Sequence, residues 1–264
     1  MKNPLIAAAV LIVVAGVAAF YAWYIDTHAP APVPPPVATL PAEPPAGVPA
    51  PPAIQHPLPP PAAAAPPLPA LAESDAVAQA AAVELFGGDA FVRHFVPEAL
   101  VRNFVVTIDN LPRKTASTRM WPIRPVPGPL ALAAGNSGLA IAPDNALRYR
   151  PYLVTMEAVE AKRLVAAYVR MYPLFQKAYE ELGYPKAYFN DRLVQAIDDM
   201  LAAPDVSAPA LVQPKVLYQF ADPALEDRSA GQKIMIRMGP DNAARVKDKL
   251  RAIRKEIVAL APQS

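Results

Sequence analysis

The residues best suited to chemistry lie in one stretch, Leu111 to Leu130, which reads LPRKTASTRMWPIRPVPGPL. Arg113, Lys114, Arg119 and Arg124 fall in an interval between Asp109 and Asp144 that holds no acid, and Arg148 and Arg150 follow on either side of Tyr149. Guanidinium groups pair bidentately with carboxylates and phosphates, and the indole of Trp121 offers a stacking face to a sugar or a cation. Arg113, Arg119, Trp121, Arg124, Arg148 and Arg150 are therefore a candidate anion or partner surface. The same residues admit a structural reading, in which the stretch is a loop wrapped over helices. Trp121 and Ile123 would then face the core, and the arginines would pair with acids from elsewhere in the chain.

Other chemistry is less well supplied. Glu180-Glu181, Asp198-Asp199 and Glu226-Asp227 are paired carboxylates of the kind that glycan hydrolysis needs across a scissile bond. Neighbours on a helix point about 100° apart, so each pair reads better as a solvated face plus one inward contact. His94 has no carboxylate or second histidine nearby in sequence and reads as structural. Cysteine is absent, which excludes a thiol nucleophile, a thiolate metal site and a disulfide framework. No nucleophile elbow, HExxH or phosphate-binding glycine loop occurs. The formal charge of +2 is too small for a nucleic-acid binder. No catalytic residue, metal or cofactor is expected.

These residues need a frame, and the periodicity after Leu71 is helical. Ser74 is a candidate N-cap for a helix through Phe86 that ends at Gly87-Gly88. A second helix is expected from Pro97 through Leu100, Phe104 and Ile108 to Asn110. Leu130 to Ala142 has the pattern of a short hairpin about Gly135-Asn136-Ser137-Gly138. From about Met156 to Leu182 the apolar residues Leu164, Tyr168, Met171, Phe175, Tyr179 and Leu182 recur at helical spacing straight through Pro173, which predicts one bent helix. Its tyrosines read as core. Asn190 or Asp191 should cap the next helix, Lys215 to Phe220 is a short extended segment, and Ser229 caps a helix to Met238. In the last helix Val246, Leu250, Ile253, Ile257 and Leu260 form a bundle-like seam that could serve a dimer, with a basic outer face. The fold class is mainly α: one predominantly helical domain, 71–264, with a small irregular or hairpin insertion.

What precedes the domain concerns placement. Leu5 to Ile25 holds 21 residues without a charge, and about 20 apolar residues in a helix cross a hydrocarbon core. The run ends in Phe20, Tyr21, Trp23 and Tyr24, rings suited to the membrane interface. A cleaved signal would end instead in small residues. Lys2 precedes the span and Asp26 follows it, so the positive-inside rule puts residues 1–4 in the cytoplasm and the bulk of the chain outside it. Residues 26–70 are the spacer. Eighteen of the forty residues from Pro30 to Pro69 are proline, which biases the segment to extended polyproline II with a contour near 120 Å at ~3.1 Å per residue.

Several ordered blocks resemble one family. They are Leu111-Pro112-Arg113, Arg124-Pro125-Val126-Pro127-Gly128-Pro129, Arg148-Tyr149, Tyr172-Pro173-Leu174, Ala178 to Pro185, Pro214 to Tyr218, Phe220 to Pro223 and Arg237 to Asn242. Together, over roughly residues 85–260, they are similar to the bacterial domain of unknown function 3014 family. The resemblance implies a single N-terminal span, a proline-rich linker and a C-terminal helical domain, and no reaction or ligand. The expected role is an envelope binding or scaffolding protein in the bacterial inner membrane, with its domain in the periplasm. Its partners would be the bilayer through residues 5–25 and an envelope protein or an anionic wall or lipid component. The alternative is a cell-wall glycan hydrolase or accessory factor using the paired carboxylates.

Overall fold

The computed structural model describes residues 53–60, 67–135 and 138–260. The expected anchor at residues 5–25 and its ring residues Phe20, Tyr21, Trp23 and Tyr24 lie outside the described residues. Among those described, no helix is long and apolar enough to cross a membrane. The described chain is mostly helical, with nine α-helices and two small antiparallel hairpins.

The centre is α5 (Ala161–Glu181), whose apolar face follows the expected spacing as far as Tyr179, whereas Leu182, expected to close the stripe, lies past the helix end and is exposed. Met171, Leu174, Phe175, Ala178 and Tyr179 are buried, and Pro173 sits inside the continuous helix on its exposed side. There the backbone hydrogen bond that proline cannot make is the one facing water, where it costs least. The tyrosines are core, as expected. Phe175 stacks on Tyr168 at 5.5 Å and meets Phe104 at 5.0 Å, and Phe189 closes the cluster. The helix begins later than the pattern suggested. Met156 belongs to a separate α4 (Arg150–Glu157), and the chain breaks direction at Glu160 before α5 starts.

Helices α1 (Asp75–Phe86), α2 (Gly88–His94) and α3 (Leu100–Asn110) pack on one side of α5. Gly87-Gly88 ends α1 as expected, and Gly88 also opens α2, a helix too short to show a stripe. Two other expectations fail here. Pro97 does not open α3. That helix begins three residues later, after Ala99 in the left-handed region (φ 51°), because Asp75 of α1 reaches across to accept the N–H groups of Ala99 and Leu100 at 2.9 and 3.1 Å. Ser74, expected as a cap for α1, instead donates its hydroxyl back to the Leu71 carbonyl at 2.8 Å.

On the other side lie α6 (Phe189–Leu201), α8 (Ala230–Arg237) and α9 (Pro240–Val258), with the short α7 (Pro223–Glu226) leading in. Ser229 caps α8 as expected, accepting from the Gln232 N–H. The α8 amides of Ala230 and Gly231 then donate to the carbonyls of Arg113 and Leu111. Gly231 permits this approach, since a Cβ there would sit 2.9 Å from Met200 Cγ. Neither Asn190 nor Asp191 caps α6; both lie in its first turn. The seam of α9 is spent within the chain: Val246 and Ile257 are buried and Leu250 and Ile253 pack against α5, α6 and α8. Its basic face is largely paired. Arg245 meets Glu157 and Arg254 meets Asp198, both at 2.5 Å, and the buried Lys247 meets Asp205 and the Ala203 carbonyl, both at 2.7 Å.

The expected hairpin is present as β1 (Leu132–Gly135) and β2 (Gly138–Ile141), antiparallel with Leu132 opposite Ile141. A second one pairs β3 (Leu211–Val212) with β4 (Gln219–Phe220), so only the end of the segment expected to be extended is a strand. Ala140 bridges to Ala210, and Ile141, Leu211, Phe220 and Ile236 bury a small core between the hairpins and α8.

One carboxylate joins the two sides. Asp109, only 4% exposed near the end of α3, accepts from Arg113 at 2.7 Å and from Arg192 of α6 at 3.0 Å, while its own carbonyl also takes Arg192 Nη2. Removing one member of a buried ion network strands the others. Asp109→Ala should lower stability by about 3 kcal/mol in urea unfolding. With Arg192→Met added, the losses should be clearly less than additive; additive losses would mean that the two side chains do not share one network.

Candidate functional site

The proline-rich loop 122–129 poses a local problem. Its prolines have no N–H to give, yet every residue keeps a carbonyl that accepts. The donors come from the segment that follows. Arg148 gives Nε to the Pro127 carbonyl at 3.1 Å and Nη2 to that of Gly128 at 2.6 Å. The Tyr152 hydroxyl lies 3.1 and 3.2 Å from the carbonyls of Arg124 and Pro125. Gly128, at φ 76°, supplies the turn. Asn145, wholly buried, sets this clamp: its Oδ1 accepts from Arg148 Nη1 at 2.7 Å and from the Ala131 N–H at 3.2 Å, and its Nδ2 donates to the Arg237 carbonyl at 2.8 Å.

Upstream, the loop is stitched to the end of α2. The Arg124 N–H donates to the His94 carbonyl at 2.8 Å, Val96 donates to the Pro122 carbonyl, and Phe95 bridges to Ile123. The His94 ring is 5% exposed and packs 4.5 Å from the Tyr152 ring. Its Nδ1 is buried without a hydrogen-bond partner among the described residues. Burial first, and the charge of Arg93 second, hold its pKa below the usual 6.5. Burial pushes the Tyr152 hydroxyl up while the nearby Arg124 charge opposes that. Beside this pair runs a shallow groove between α2 and α4, lined by Phe86, Asp89, Arg93, His94, Arg150 and Val154 among others.

The six candidates thus divide. Arg113 is spent on Asp109 and on the Tyr184 hydroxyl, at 2.7 and 2.6 Å, neither of which lines the groove. Arg148 is spent on loop carbonyls. Trp121 is half-buried, its indole N–H buried and unpaired among the described residues, and Ile123 is exposed, so neither takes the core position expected of it. Arg119, Arg124 and Arg150 are exposed, and no ion pair reaches their guanidinium groups among the described residues. Arg93, exposed on α2, joins them and was not singled out from sequence, because it lies outside the acid-free interval.

The paired carboxylates are engaged elsewhere. Glu181 meets Arg102 and Asp227 meets Lys114, both at 2.8 Å; Asp198 meets Arg254, and Glu226 meets Lys233. Glu180 accepts from Gln176, and Asp199 accepts from Ser229 and Gln232. Among the described residues no group of three metal-ligating side chains converges.

A family model described as a protein of unknown function (DUF3014) matches residues 100–254, more than half of the chain, and the chain belongs to that family. No curated protein and no solved structure matches it.

A histidine held neutral in the fold and protonated when unfolded contributes stability that is complete above its unfolded pKa and lost as pH falls through the lower folded value. The melting temperature should therefore fall as pH is lowered from 7 to 5, and His94→Gln should flatten that slope. Parallel slopes would exclude His94 as the titrating group.

Proposed function

We propose that this protein is a membrane-tethered binding module of the bacterial cell envelope. In this reading its N-terminal span is held in the inner membrane with the N-terminus in the cytoplasm. The helical domain stands in the periplasm and meets an anionic envelope component. The observation that carries it is the division of the arginines. Arg113 and Arg148 are consumed by the fold, whereas Arg119, Arg124 and Arg150, with Arg93 beside the groove, present their charge to solvent without an acidic partner among the described residues. Exposed guanidinium groups held on an ordered loop and on short helices suit carboxylate or phosphate groups of a wall polymer or lipid surface.

Binding of the full-length protein in detergent to isolated wall material and to anionic vesicles should fall steeply as salt rises. Arg124→Ala with Arg150→Ala should weaken it at least about tenfold, equivalent to ~1.4 kcal/mol, without lowering the melting temperature. Arg148→Ala should do the reverse and lower stability first. Salt-insensitive binding, or binding unchanged in the double variant, would overturn the assignment of this surface.

A further inference from the structure

The spacer does not end where its composition ends. Residues 53–60, AIQHPLPP, lie against the first turn of α6 in a run without helix or strand pairing. Gln55 and His56 both give their backbone N–H groups to the Asp191 carboxylate, at 3.1 Å to Oδ2 and 2.7 Å to Oδ1. The Leu58 N–H donates to the Tyr188 hydroxyl at 3.0 Å, and Asn190 Nδ2 donates to the His56 carbonyl at 2.8 Å. Pro57 has no N–H, so every backbone donor from residue 55 to residue 58 ends on a side chain of the domain.

The receiving face is braced from within the domain. Asn190 is wholly buried, and its Oδ1 is fixed by the Tyr168 hydroxyl at 3.0 Å, which leaves its amide nitrogen turned to the incoming carbonyl. Tyr172 and Tyr188 stand with ring centroids 5.3 Å apart. Tyrosine rings with a few fixed polar tips are the means by which grooves recognise polyproline II. The flat faces cover proline rings, and the tips take the sparse backbone groups of a ligand whose extended form loses little entropy on binding. Asp191 adds selectivity for a segment with two adjacent N–H groups before a proline, as in Gln55-His56-Pro57.

The structure assigns to this face, formed by Tyr188, Asn190 and Asp191, a docking site for an extended proline-rich segment, filled in this chain by its own spacer as a releasable latch. Docked, the segment takes no part in the reach of the tether. On the reading of the chain as tethered, which this part of the proposal rests on, release returns residues 53–60 to the spacer, roughly 25 Å of contour at ~3.1 Å per residue.

Amide hydrogen exchange on the full chain tests the latch. Gln55, His56 and Leu58 should be protected in the native protein, and Asp191→Ala should speed their exchange at least about tenfold while the core amides of α6 keep theirs. Tyr188→Phe, which keeps the ring, should affect Leu58 alone. Unprotected amides in the native chain, or α6 opening together with the segment in Asp191→Ala, would overturn the proposal. Recognition is tested by replacing residues 53–60 with Gly-Ser repeats. A synthetic AIQHPLPP peptide should bind that variant and neither the native chain nor the variant carrying Asp191→Ala. Absence of binding to the opened variant would exclude a recognition site, and equal binding to the native chain would exclude occupancy by the spacer.

Discussion

A carboxylate near the C-terminal end of a helix stands where the backbone already presents negative charge, and it is stable there only with cations at hand. Asp109 has two. Arg113, one turn further on, and Arg192, from a different helix, both reach its side chain and its backbone carbonyl. The effect is to fix the end of α3 against α6, which in turn sets where the chain goes next. From that point Leu111 and Arg113 offer their carbonyls to the first turn of α8, and the proline-rich loop departs toward α2 and α4. The basic surface is held in place by an acid that belongs to the core.

Much of this fold was legible in the sequence where periodicity is long. The stripe of α5 survives Pro173 because the proline lies off the stripe, and the seam of α9 follows the same logic of repeated spacing, while the hairpin at 132–141 was marked by its turn residues. What was not legible depends on partners distant in sequence. Pro97 has the local form of a helix start, but the capping group of α3 is Asp75, from another helix, and it moves the start to Leu100. Gly87-Gly88 has the form of a stop, and only the structure shows that it is also a beginning.

The arginines make the same point chemically. By type and by spacing Arg113, Arg124 and Arg148 are alike, and the fold gives them different work. One signal was available: Arg113 stands four residues after Asp109, the separation at which a helix brings opposite charges together. For Arg148 the near partner was Asn145, three residues before it, but its loop-carbonyl acceptors lie some twenty residues earlier and left no such clue. The proline content there was visible, and its physical meaning, a run of acceptors lacking donors, is what called for a guanidinium fork nearby.

Asn145 has a further meaning in time. Its three bonds reach Ala131, Arg148 and Arg237, the last of them 92 residues downstream. Chains are made from the N-terminus, and contacts of long sequence separation close last. The loop of prolines can therefore be gripped by Arg148 early in synthesis, but the asparagine that orients this grip is completed only after α8 has been made. A nascent chain released before that point would carry the whole arginine-rich segment without the shape that separates its structural cations from its exposed ones.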